Sequence, residues 1–103
     1  MLILTNRLYV GAKEYDMYLI KSFTLENSNH TTVTFDLFDK DGEPILIESA
    51  LEADGSRGVR AYDGYMDVSE RLFVLDLMCD GTPEVDHAIH VLQMFVKEFY
   101  GSN

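Results

Sequence analysis

A chain of 103 residues, 47% hydrophobic and carrying six Phe and six Tyr, can bury one core without a metal or a disulfide, so a single domain over 1–103 is expected. Eighteen acidic residues against eight basic ones leave a net charge of −10, which works against nucleic-acid binding and against docking on an anionic membrane. Cys79 is the one cysteine, which excludes an internal disulfide and fits a reducing, cytoplasmic setting.

The opening "MLILTNRLYVG" has too short an apolar stretch for a signal peptide, and Arg7 interrupts it. "LILTNRLYV" reads as a strand with Leu2, Leu4, Leu8 and Val10 on one face, and "MYLIKSFTL" (17–25) as a second. After the polar link "ENSNH", Val33, Phe35 and Leu37 alternate with Thr32, Thr34 and Asp36 in "TTVTFDLF" (31–38), the period of a half-buried strand. "ILIESALE" (45–52) follows as another strand. Four Asp-Gly pairs (41–42, 54–55, 63–64 and 80–81) mark turns, because both residues tolerate positive φ. "VRAYDGYMDV" around Asp63-Gly64 therefore reads as a small hairpin. The more continuously apolar "RLFVLDLMC" (71–79) reads as a central strand.

The period changes in "TPEVDHAIHVLQMFVKEFYG". Thr82 suits a helix N-cap, Pro83 the first helical position, and Glu84 and Asp86 the positive end of the dipole. Val85, Ala88, Ile89, Leu92, Val96 and Phe99 share one face, and Gly101 suits the end. The expected fold is α+β: an antiparallel sheet of about five or six strands with one C-terminal amphipathic helix packed on one face.

Candidate chemistry is sparse. A calcium-loop frame over Leu37–Glu48 places Asp39, Asp41, Gly42 and Glu48 at ligand-like positions, but its first position is Leu37 and its flanks alternate as strands, so a hairpin turn is expected. His87 and His90 lie opposite the helix's apolar stripe, and no further His or Cys completes a tetrahedral zinc set. Cys79 beside Asp80 lacks the electropositive setting of a reactive thiolate. There is no phosphate loop, dinucleotide fingerprint or nucleophile elbow. No catalytic residue, cofactor or metal is expected.

The charge itself is uneven. Residues 35–80 hold twelve acids and four bases, so −8 of the −10 lies there. With Ile45, Ile47 and Leu51 inward, Glu48 and Glu52 point outward. Asp36, and Asp76 on a neighbouring strand, would extend the row. Carboxylates two residues apart on a strand are about 6.6–7 Å apart, comparable with successive phosphates of one nucleic-acid strand. Two placements are open for Tyr62 and Tyr65 beside Asp63 and Asp67: anchors at an interface, or packing on the sheet. The expected function is a non-catalytic acidic binding protein, contacting its partner through Asp36, Asp39, Asp41, Glu48, Glu52, Tyr62, Asp63, Tyr65, Asp67 and Asp76. It would dock on the basic surface of a protein that handles nucleic acid and inhibit it. Bacteriophage anti-CRISPR and anti-restriction inhibitors, some of them nucleic-acid mimics, are of this kind. The alternative is a structural subunit or homodimer whose acidity serves solubility.

Overall fold

The computed structural model describes residues 3–10, 13–26, 31–79 and 81–101, with side chains described from residue 16 onward. Five strands are followed by two helices: β1 (Ile3–Val10), β2 (Lys13–Glu26), β3 (Thr32–Lys40), β4 (Glu43–Leu51), β5 (Arg57–Asp63), α1 (Tyr65–Met78) and α2 (Pro83–Tyr100). The strands form one antiparallel sheet in the order β1-β2-β3-β4-β5, so each pairs with its neighbour in sequence. The α+β class is as expected. Leu2 and the side chains of Leu4, Leu8 and Val10 lie outside the described residues.

Alternation in β3 sets the layers. Phe35 and Leu37 are buried and point to the helices, with Val33 beside them. Their paired residues share that face: Phe23 and Leu25 on β2, Leu46 on β4, and Tyr62 on β5 opposite Leu46. Val68 and Leu72 of α1 and Leu92 and Val96 of α2 complete the core. Fully burying each such aliphatic side chain contributes about 1.5–3 kcal/mol. On the other face of the sheet, Phe38 pairs with both Leu19 and Ile45. Ile45 and Met17 are buried there.

The Asp41-Gly42 turn joins β3 to β4 with both residues at positive φ (52° and 83°), the two-residue hairpin geometry that matches strand twist. Pro44 takes the second place in β4, and its carbonyl accepts a hydrogen bond from Gly64 N–H at 2.8 Å.

Two expectations are corrected here. Residues 65–78 are helical, not a hairpin arm followed by a central strand. Gly64 (φ 97°, ψ 159°) takes a backbone conformation closed to other residues, and its carbonyl accepts the first helical bond from Val68 N–H at 3.0 Å. Downstream, Val68, Leu72 and Leu75 reach the core at helical spacing. The apparent strand arose because α1 carries apolar residues on its outer side as well. Consequently two helices, not one, cover the sheet. In α2, Thr82 holds the N-cap position with extended backbone but without a side-chain capping bond, and Pro83 opens the helix. Lys97 in the last turn and Glu84 and Asp86 in the first complement its dipole. Among the described residues, no helix is long and apolar enough to cross a membrane.

Candidate protein-docking surface

The inner side of α1 is spent on the core, yet its outer side is also apolar. Met66 is 77% exposed, Phe73 58% and Leu77 69%. Steps of seven and four residues put these three on one stripe of the helix. Across the helix hairpin, Met94 of α2 is 53% exposed. Between the helices runs a groove of about 750 Å³ lined by Tyr65, Ser69, Phe73, Gln93, Met94 and Lys97, among others. Scattered exposed apolar residues need no explanation; here Phe73 and Met94 line the groove itself, while Met66 and Leu77 stand on the adjoining outer side of α1 with Glu70 between them.

Carboxylates lie on both helices: Glu98, beside Lys97, lines the groove, Asp67 and Glu70 flank Tyr62 on the β5 side of α1, and Glu84 lines a separate cleft against β2 and β3. Asp67 and Glu70 are exposed on α1, and Glu84 and Glu98 on α2. At the end of the groove nearer the helix–helix turn, His90 lies between two acids, with Nε2 3.4 Å from Asp76 and Nδ1 3.3 Å from Asp86. The three groups offer ligand-type atoms within 4.8 Å of one another. Each ring nitrogen already faces a carboxylate, so the trio acts as a polar bridge joining α1 to α2. His87 is exposed too, with its ring edge-on to Phe23 at 6.2 Å.

The expected acidic row does not form. In register, Leu37 pairs with Leu46 and Asp36 with Ile47, which turns Glu48 toward the helices and leaves Asp36 on the opposite face. Glu48 accepts two hydrogen bonds from Arg71 of α1, Nε at 2.7 Å and Nη2 at 2.8 Å, and this pairing raises the Arg71 pKa. The Arg71 guanidinium also lies 5.1 Å from the Tyr62 ring centre, so half-buried Tyr62 packs on the sheet. Tyr65 takes the other placement, exposed beside the groove. Asp39 accepts a hydrogen bond from Tyr100 Oη at 2.5 Å. Burial first, and that bond second, push the Tyr100 pKa upward.

The remaining acids are dispersed. Asp36 accepts from Ser22 Oγ on the open face of the sheet, and Asp63 pairs with Lys40. Asp41 sits in the hairpin turn, and Glu52 just past β4 accepts from Thr31 Oγ1 at 3.0 Å. Asp67 lies in the first turn of α1, and Asp76 is on that helix and not on a strand. The β4–β5 turn is shaped by Asp54, whose carboxylate takes both N–H and hydroxyl of Ser56; the hydroxyl bond chiefly lowers its pKa. Cys79 ends α1 with Sγ 3.9 Å from the Thr82 carbonyl oxygen.

Of the ten residues singled out in the sequence, Tyr65, Asp67 and Asp76 belong to the helix-pair surface. Met66, Phe73, Leu77 and Met94 were missed. Their signal was a second helical set, 66/73/77 interleaved with 68/72/75, which merges into an unbroken apolar run when read at period two. No family model, no curated protein and no solved structure matches this chain.

Proposed function

We propose that the protein is a non-catalytic binding module that docks on the basic surface of a protein partner, one that handles nucleic acid, and blocks that surface. The observation that carries this reading is the disposition of charge. Arg71 is held by Glu48, Lys40 pairs with Asp63 at the surface and Lys21 lies over the Phe23 ring, while Arg57, Arg60 and Lys97 face solvent. Asp67, Glu70, Glu84 and Glu98 also face solvent. Among the described side chains the exposed acids outnumber the exposed bases, so the −10 net charge accelerates encounter with a basic surface and repels nucleic acid. The acidic sheet row that would copy a phosphate backbone is replaced by carboxylates on two helices.

The test is capture on the tagged protein from a lysate of the native host, washed at low and then high salt, followed by reconstitution with the purified partner. A basic nucleic-acid-handling protein that elutes at high salt and loses its nucleic acid in the complex is the expected result. Partners indifferent to salt, or self-association alone, would overturn it.

A second reading, assembly through a sheet edge, is favoured by β5. That edge strand is exposed along its length apart from Tyr62, and Val59 is 61% exposed. Arg57 and Arg60 on the same strand oppose parallel approach of a second copy, because like charges would meet. Sedimentation equilibrium that gives a concentration-dependent dimer would support this reading.

A further inference from the structure

We infer that the occupant of the α1–α2 groove is an amphipathic helix with a basic flank, supplied by the partner; this rests on the binding-module reading above and names its site. The stripe Met66–Phe73–Leu77 is a ridge at helical spacing, and the adjoining groove is bounded by Tyr65 and Met94. A ridge beside a groove receives another helix, whose own apolar residues at i, i+3, i+4 and i+7 fill the trough. Met66 and Met94 are among the exposed apolar residues, and their unbranched side chains adapt to a partner's shape.

Charge selects the kind of helix. The helix hairpin bears Asp67, Glu70, Asp76, Glu84, Asp86 and Glu98 among its described residues, against Arg71 and Lys97. Arg71 is engaged with Glu48 on the sheet side. At the groove itself Lys97 and Glu98 balance, but the exposed apolar side of α1 stands beside Asp67, Glu70 and Asp76, so a helix with apolar anchors and Lys or Arg at its margins meets both. A second copy of this chain docked on the same face would set Asp67, Glu70 and Asp76 against the same acids of its partner, and an acidic helix would be repelled.

The probe is a fluorescent synthetic helix of Leu and Lys, about 18 residues or five turns long, with a Leu–Glu counterpart of the same pattern. Anisotropy measures binding, and amide chemical-shift mapping locates it. The Leu–Lys helix is expected to bind with shifts at Phe73, Leu77 and Met94, and the Leu–Glu helix to show none. The double variant Phe73→Ser/Leu77→Ser is expected to weaken binding by at least about tenfold with its thermal unfolding unchanged, since both side chains are exposed. Equal affinity in that variant, shifts confined to the sheet, or a dimer that buries the groove would overturn the inference. The two proposals fail separately. A lysate partner still captured by the double variant sinks the groove assignment and leaves the acidic module standing. Peptide binding at the groove with no nucleic-acid-handling partner in the lysate upholds the groove and sinks the proposed target class.

Discussion

The two helices make an instructive pair. α2 buries Ala88, Ile89, Leu92 and Val96, which account for its place in the fold, and leaves Met94 and Phe99 exposed, the latter expected on its inward face. α1 buries only Val68 and Leu72 fully, and its outer side displays Met66, Phe73 and Leu77 to solvent. Most of α2 is explained by the domain's own core. α1 holds apolar surface that the core does not use, and that surplus is the feature a binding partner would account for. Their ties to the sheet differ as well: α1 is held by an ion pair, Arg71 to Glu48, and α2 by a neutral donor, Tyr100 to Asp39.

Substitutions can sharpen the contrast. The largest effect is expected where both helices are alike: Leu72→Ala and Leu92→Ala should each cost about 2–5 kcal/mol in urea unfolding, since each side chain is fully enclosed. A much smaller loss at Leu72 would mean that α1 is only loosely attached. Glu48→Gln should cost about 2 kcal/mol by leaving the half-buried Arg71 charge with a poorer partner, and adding Arg71→Met should restore part of the loss. Gly64→Ala should cost about 1–3 kcal/mol, because α1 starts from a conformation that a Cβ disfavours, whereas α2 starts from ordinary extended backbone at Thr82.

The tie of α2 is tested by pH. The raised pKa means that the folded state holds the Tyr100 proton more tightly than the unfolded chain does. Its contribution is therefore complete below the unfolded value of about 10 and is lost as pH climbs above it. Tyr100→Phe should be less stable than the parent by about 1 kcal/mol at neutral pH, and the gap should narrow above pH of about 10. Smallest of all, Phe73→Ser/Leu77→Ser should change stability by no more than about 0.5 kcal/mol per site, in contrast with its effect on binding.

Much of the sheet was legible because its signals were local. The strand expected over 31–38 is β3, and Asp41-Gly42 is the turn that its composition implies. The face of β4 was misread for a definite reason. Ile45, Leu46 and Ile47 are all apolar, so alternation alone permits either set to face inward; pairing of Leu46 with Leu37 decides it, and Glu48 turns inward with Leu46. α1 was hidden because apolar residues on two sides of a helix erase its period. Asp-Gly at 63–64 signalled a change of direction without saying what followed: the same positive φ at Gly64 serves a hairpin or the entry to a helix. The link between Asp76 and His90 depends on how the two helices lie side by side, which composition and spacing do not encode.

The simple up-and-down order of the sheet bears on how the chain acquires its shape. Every strand pairs with the one before it, so the loops to be closed are short and the contact order of the sheet is low for a β-rich protein. Strands can zip together in the order in which a ribosome delivers them, each hairpin templating the next. Phe35, Leu37 and Leu46 must then wait for the last third of the chain to arrive and cover them. Folding is thus gated by the same helix pair that carries the outward apolar row, and a newly made chain exposes its stickiest inner face until that row exists.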